Sequence, residues 1–158
     1  MEKSTFLTFV LGQELFAVNV LNVLEVLEQQ QITPVPQTPP HILGIINFRG
    51  EILPVVDTRY KFNLPAKADS QRNFVIVYVL GEDEQKVSIA ATADAVKDVI
   101  EISPEEIKPV PEMGITYDSQ YIAGVIKRDE AFIMLLNTEK VFSIANVEQI
   151  LQTEMNNE

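Results

Sequence analysis

The chain has 158 residues, of which 46% are hydrophobic and 22% are charged, and it contains no cysteine. This composition supplies enough apolar residues for a buried core, and the lack of cysteine excludes disulfides, thiolate zinc sites and cysteine nucleophiles. The net charge of −11 disfavours nucleic acids and anionic membranes as partners.

The first segments of the chain predict short strands. Residues 5–11 form an apolar run ended by the polar turn 12–14, and residues 15–20 are typical of a returning strand. Because this run is too short for a signal peptide or a membrane span, we expect a cytoplasmic protein. Residues 20–28 fit a helical turn that leads into a strand. Four prolines in residues 29–40 predict an extended connector, with a polyproline ligand as the alternative interpretation.

The next stretch predicts a hairpin. Two β-branched runs flank Arg49 and Gly50, and Gly50 can adopt the positive φ that a two-residue hairpin turn requires. Pro54 cannot donate a ladder hydrogen bond, so we expect its strand to lie at an edge or to contain a bulge. Asp57 is interpreted as structural, because its carboxylate can accept hydrogen bonds from the short helical turn that follows.

The second half of the chain predicts further strands. Residues 64–72 are polar and are interpreted as a linker between the halves. Residues 73–81 form a β-prone run, and residues 86–92 alternate apolar and polar side chains as a half-buried strand does. Residues 97–107 combine a strand with a brief helix that starts at a Ser-Pro-Glu-Glu turn. Residues 147–151 predict a short C-terminal helix.

An internal repeat links these two halves. The stretch 44–62 matches 124–142 without a gap, so that Gly44 aligns with Gly124, which we interpret as structural. Two further pairs match in the same order: Phe6 to Gly12 with Phe74 to Gly81, and Ile32 to Pro36 with Ile107 to Pro111. The repeat predicts one all-β domain over residues 1–158, built from two similar barrel halves of approximately 1–68 and 69–145 plus a tail.

Residues that could support catalysis are sparse. The single histidine, His41, lies between Pro40 and Ile42 without identifiable catalytic companions, and no phosphate-binding loop or spaced carboxylate calcium loop occurs. We therefore predict no enzyme, no cofactor and no metal site. The alternative of a different class is a β-barrel that binds a small molecule between its halves.

Arg49 is the candidate functional residue. In the second half the same turn position holds Asp129, so the hairpin itself does not require a cation. Two interpretations remain open: a solvated turn arginine, or an arginine that pairs with a carboxylate in a fixed geometry and organises a contact surface. Glu25 is a candidate for that carboxylate.

Several motifs together resemble one family. Asn47 to Phe62 reads NFRGEILPVVDTRYKF, preceded by VLEV at Val23 to Val26 and by the proline run from Pro34 to Pro40. The second half adds IKPVP at Ile107 to Pro111 and YIAG at Tyr121 to Gly124. Over residues 5–145 the chain resembles the CheW-like coupling proteins of bacterial chemosensory arrays.

The resemblance implies an all-β fold of two five-stranded, SH3-like barrels and a non-catalytic adaptor that joins the cytoplasmic tip of methyl-accepting chemoreceptors to the regulatory domain of a CheA-type histidine kinase. It also leaves room for other CheW-like domains in array rings and for a chemosensory pathway with another output, such as surface motility. The partner-binding residues that it implies are Val23, Glu25, Gly44, Phe48 and Arg49. Gly50, Asp57 and Gly124 are interpreted as structural.

Overall fold

A computed structural model describes residues 2–28, 30–62, 64, 74–110 and 119–142. The C-terminal helix predicted for residues 147–151, and nearly all of the linker predicted before residue 73, lie outside this part of the chain.

Short strands joined by tight turns make up most of the described residues, which confirms the all-β prediction. The first half contains β1 (Ser4–Leu11), β2 (Glu14–Asn19), a 3-10 helix (Val20–Asn22), β3 (Val23–Glu28), β4 (Ile42–Phe48), β5 (Glu51–Val56) and α1 (Thr58–Lys61). The second half contains β6 (Phe74–Leu80), a 3-10 helix (Asp83–Gln85), β7 (Val87–Ala93), β8 (Ala95–Ile102), 3-10 helices (Pro104–Glu106 and Ser119–Tyr121), β9 (Ile122–Arg128), β10 (Ala131–Leu136) and α2 (Thr138–Val141).

The strands form two five-stranded sheets. One sheet has the order β8-β1-β2-β10-β9 and is called the terminal sheet, because it combines both ends of the chain. The other has the order β3-β6-β7-β5-β4 and is called the central sheet. The halves divided near residue 68 are therefore not the two sheets, which corrects that prediction. Each sheet takes strands from both copies of the repeat.

The exchange of strands occurs where the chain crosses between the sheets. After β2 the 3-10 helix Val20–Asn22 leads into β3, which pairs with β6 instead of returning to β1. After β7 the single residue Asp94 leads into β8, which pairs with β1. Each copy of the repeat thus starts in one sheet and ends in the other, so the two copies interlock.

Alternation along the strands produces three apolar clusters. In β6, Ile76, Tyr78 and Leu80 face the space between the sheets, where they join Leu7 and Phe9 from β1 in the largest cluster. Side chains on the opposite faces of the strands form one smaller cluster for each sheet. The central sheet contributes Val75, Val77, Ile46, Phe48, Leu53, Val55 and Ala90, and the terminal sheet contributes Ala17, Ile102, Ile126, Ile133 and Leu135. Because both faces of β6 are buried, it reads as a continuous apolar run.

In each sheet, one edge strand also pairs with a connector through a single residue outside the named strands. The connector follows β3 in the central sheet and β8 in the terminal sheet. Thr33 pairs with Ile45 in the central sheet, and Lys108 pairs with Val125 in the terminal sheet. We call these two places the central seam and the terminal seam. A Cβ atom on Gly44 would lie 2.1 Å from the Thr33 carbonyl oxygen, so only glycine allows the connector to approach β4 this closely.

The strand of Pro54 is not an edge strand, because β5 pairs with β4 on one side and with β7 on the other. The β4–β5 ladder does contain a register shift, but the extra residue lies in β4, between Ile42 and Gly44. Pro54 lies opposite Ile45, whose backbone N–H and C=O both bond to Thr33. This pair therefore needs no donor from the proline. The ladder to β7 starts one residue later, at Val55.

A buried ion pair joins the two sheets at the second crossing. Arg59 in α1 donates to the Asp94 carboxylate through Nε at 3.1 Å and through Nη2, and both side chains are only 13% exposed. The same carboxylate accepts from the Gly12 amide in the β1–β2 turn at 2.6 Å. Asp94 thus holds an element of the central sheet against a turn of the terminal sheet.

Candidate functional site

The turn of the β4–β5 hairpin presents Arg49 at the surface. Arg49 and Gly50 have φ values of 51° and 82°, as a two-residue hairpin turn of right-handed twist requires. The Asn47 side chain fixes this turn, because its Oδ1 accepts from the Gly50 amide at 3.0 Å. The Arg49 side chain therefore projects from a rigid backbone.

The structure brings Arg49 and Glu25 together. Arg49 Nη2 donates to Glu25 Oε1 at 2.8 Å, and the guanidinium carbon lies 4.8 Å from the centre of the Phe48 ring. The Arg49 and Glu25 side chains are 64% and 36% exposed, so the pair adds little to stability. Its effect is to hold the guanidinium against Glu25 of β3 while most of the Arg49 side chain stays exposed.

The other predicted contact residues lie below this surface. Phe48 belongs to the apolar cluster of the central sheet, and Gly44 is buried under the central seam. Val23 is half-buried and packs against the cluster between the sheets. Of the five residues, only Glu25 and Arg49 present charged groups, while Val23 and Phe48 pack in apolar clusters and Gly44 allows the close approach of the connector.

The residues interpreted as structural have local partners. Gly50 occupies the turn described above. Asp57 begins α1, where its Oδ1 accepts from the Arg59 amide at 3.1 Å. Gly124 lies at the terminal seam, where a Cβ atom would be 2.5 Å from Cγ2 of Ile107.

The equivalent β9–β10 hairpin has a different surface. Asp129 and Glu130 form its turn with φ values of 48° and 69°, so two acidic residues replace the arginine and glycine. The neighbouring Arg128 binds Glu106 through two hydrogen bonds of 2.9 and 3.1 Å and also donates to the Glu101 carbonyl. The two hairpin tips therefore carry opposite charge on the same backbone.

Exposed apolar side chains were missed by the sequence analysis. Ile52 in β5 and Phe132 in β10 occupy the same repeat position and are 57% and 65% exposed. Leu24 in β3, Val99 in β8 and Leu21 at the first crossing are also exposed. The repeat alignment could have revealed the pair of Ile52 and Phe132, but the exposure of these side chains depends on which strands become neighbours.

His41 lies beside α1, where its ring is 6.4 Å from that of Tyr60. Partial burial and the nearby charge of Lys61 lower the pKa of His41, so its neutral form is favoured. Within the described ranges, no three His, Cys, Asp or Glu side chains are placed to hold a metal ion. No helix in the same ranges is long and apolar enough to span a membrane.

Comparison with known proteins places this geometry in a family. The family model described as "CheW-like domain" matches residues 5–146. The chain is 34% identical over 138 residues to Chemotaxis protein CheW of Klebsiella aerogenes, covering 87% of this chain and 81% of that protein. It is 32% identical over 142 residues to Protein FrzA of Myxococcus xanthus, covering 89% and 86%.

A solved structure has the same fold. The crystal structure of the scaffolding protein TtCheW from Thermoanaerobacter tengcongensis superposes with a TM-score of 0.78 at 31% identity, covering 90% of this chain and 94% of that one. The chain therefore has relatives at both the sequence and the structural level.

Proposed function

The chain belongs to the CheW-like domain family, and from this we propose that it is a non-catalytic chemotaxis adaptor that couples methyl-accepting chemoreceptors to a CheA-type histidine kinase. The single observation that carries the proposal is the Arg49–Glu25 pair at 2.8 Å, which holds an exposed cation in one orientation without contributing much stability. An ion pair in such a place is better explained by a contact surface than by the fold.

We propose that the two sheets serve different partners. The surface around Arg49 and Glu25 on the central sheet would meet the receptor tip, where an apolar groove can accept one face of a helical hairpin. The exposed Val99 and Phe132 on the terminal sheet would meet the regulatory domain of the kinase. Because the cluster between the sheets makes them one body, binding at both faces links receptor and kinase, and repeated links build an array by avidity. Other CheW-like domains are further candidates for such contacts.

The adaptor is expected to act in the cytoplasm and to be recruited to membrane-associated receptor arrays through these contacts. Its net charge of −11 gives it no electrostatic attraction to anionic lipid.

Pull-down with a purified CheA-type kinase and a receptor cytoplasmic fragment tests the proposal. We expect both to be recovered in one complex with this protein. Recovery of neither, for all kinases and receptors of the same genome, would contradict the adaptor function.

Substitution of Arg49 tests the surface itself. Arg49→Asp should weaken receptor control of the kinase while leaving the circular dichroism spectrum unchanged. The double variant Glu25→Arg with Arg49→Glu should restore part of that control, because the ion pair is re-formed with its charges exchanged. Asp129→Arg is the matched control, since it changes charge at the same turn position of the other hairpin. Equal loss in Arg49→Asp and Asp129→Arg would argue against a specific role for Arg49.

The match to FrzA, a relative whose name does not mention chemotaxis, favours a second candidate. In this candidate the same adaptor role belongs to a chemosensory pathway with another output, such as surface motility. Pull-down against each kinase of the genome distinguishes the two candidates, because only the cognate kinase should be retained at physiological salt.

A further inference from the structure

The two seams have the same backbone but different contents. At each seam a connector residue exchanges two backbone hydrogen bonds with β4 or β9: Thr33 with Ile45, and Lys108 with Val125, at distances between 2.8 and 2.9 Å. Two residues before the bridge, the connector holds Gln31 at the central seam and Glu106 at the terminal seam. The seams can therefore be compared residue by residue.

At the terminal seam this position is filled by an ion pair. Glu106 accepts from Arg128 of β9 at 2.9 and 3.1 Å and from the Ser103 amide at 3.0 Å. These bonds, the one from Arg128 above all, lower the pKa of the Glu106 carboxyl, so the ion pair persists to lower pH than an ordinary glutamate would allow. The contact fixes the connector over the end of β9.

At the central seam the same position is open. Phe48 replaces Arg128 and turns into the core, and Gln31 has no side-chain hydrogen bond to another described residue. A cleft of about 320 Å³ lies here, lined by Gln31, Thr33, Ile45, Ile46, Asn47 and Ile52.

The cleft exposes unpaired backbone groups of β4. Ile45 directs its N–H and C=O to Thr33. The backbone groups of successive residues in a strand point to alternate sides, so the N–H and C=O of Asn47 point to the same side as those of Ile45. No backbone group of the described residues bonds to Asn47 there. The edge of β4 therefore offers one donor and one acceptor beside the exposed side chain of Ile52.

We propose that the central seam is a docking site for an extended segment of a partner protein, which adds to the free edge of β4 at Asn47 and places one apolar side chain against Ile52. A free N–H and C=O on a strand edge can form the hydrogen bonds of an added strand, and an adjacent apolar cleft favours an apolar side chain on that strand. The Arg49 turn belongs to the same hairpin, so the docked segment runs beside the Arg49–Glu25 pair and extends that contact surface.

The inference rests on the proposed function only for the identity of the natural partner. Its binding chemistry is tested with the isolated full chain and a synthetic probe, an acetylated and amidated peptide that alternates valine and threonine. In ¹⁵N NMR titration we expect the amide shifts to centre on Gln31, Asn47 and Ile52, and the Asn47 N–H to exchange more slowly with solvent. A fully N-methylated copy of the peptide should not bind, because it cannot donate to the Asn47 carbonyl.

Two matched variants locate the site. Ile52→Glu should weaken peptide binding about tenfold, because it removes the apolar wall of the cleft. Phe132→Glu is the same exchange at the terminal sheet, whose seam is filled, and it should leave the peptide affinity unchanged.

Equal loss in both variants, undiminished binding of the N-methylated peptide, or shifts spread over the surface would overturn the docking site. If the Asn47 N–H exchanges slowly in the absence of peptide, and this protection disappears on dilution, the occupant of the cleft is a second copy of this chain and the proposal is overturned. None of these results bears on the adaptor function, which would fail instead in the kinase and receptor pull-down.

Discussion

The β4–β5 hairpin of the central sheet and the β9–β10 hairpin of the terminal sheet share one backbone and differ in the charge that their turns present to solvent. Both have a two-residue turn with positive φ and a glycine under the seam. One tip carries Arg49 bound to Glu25, and the other carries Asp129 and Glu130. The comparison indicates that the repeat preserves what the fold requires, and that the positions where the copies diverge are where function should be sought.

The seam glycines should give the largest effect. Gly44→Ala would place a Cβ atom 2.1 Å from the Thr33 carbonyl oxygen, a rigid backbone atom, whereas Gly124→Ala would meet the Ile107 side chain at 2.5 Å. A side chain can move aside, so we expect Gly44→Ala to lower the free energy of unfolding by about 4 kcal/mol and Gly124→Ala by about 2 kcal/mol. Urea denaturation measures both. Equal losses would mean that the two seams are equally adaptable.

The bonds between the sheets should come next. Arg59→Ala leaves the Asp94 carboxylate without its buried guanidinium, and we expect a loss of about 3 kcal/mol. The counterpart of Arg59 in the second repeat is Glu139, which accepts from the Gly81 amide at an exposed site. Glu139→Ala should cost about 0.5 kcal/mol. Similar losses in thermal or urea unfolding would show that the Arg59–Asp94 pair adds no more stability than the exposed contact of Glu139.

Tyr78 offers a change in the stabilising direction. Its repeat counterpart is Phe9, and both side chains are buried between the sheets. Burial raises the pKa of Tyr78, and its hydroxyl has no hydrogen-bond partner among the described residues. Tyr78→Phe should therefore raise the free energy of unfolding by about 1 kcal/mol. A destabilised variant would reveal a bridging water or another partner for the hydroxyl.

The hairpin turns should give effects as small as the one expected for Tyr78. Glu130 has a φ of 69°, where a side chain costs energy, while Gly50 fills the same position at 82° without that cost. We expect Glu130→Gly to stabilise the protein and Gly50→Ala to destabilise it, each by about 1 kcal/mol. If Glu130→Gly is neutral in urea unfolding, the acidic turn must have interactions that offset its backbone strain.

Much of the fold and part of the site were predictable from the sequence, because they depend on neighbours in the chain. Gly50 and the flanking β-branched runs predicted the hairpin, and the side chain of Asp57 predicted the start of α1. The Arg49–Glu25 contact was one of two open interpretations, since sequence spacing does not establish proximity. The exposed Ile52 and Phe132 escaped prediction, because alternation assigns faces to a strand but not what covers them.

By itself, the sequence determined the strands, their turns, the internal repeat and the family to which the chain belongs. Only the tertiary structure decided that β3 pairs with β6 and β8 with β1, so that each sheet is assembled from both repeats. The reason is physical: a strand whose faces are both apolar can pair with several others, and the pairing that wins is the one that also buries the cluster between the sheets. That topology builds the same seam twice, and the residues at matched positions, Glu106 with Arg128 at one seam and Gln31 with Phe48 at the other, decide which seam is filled.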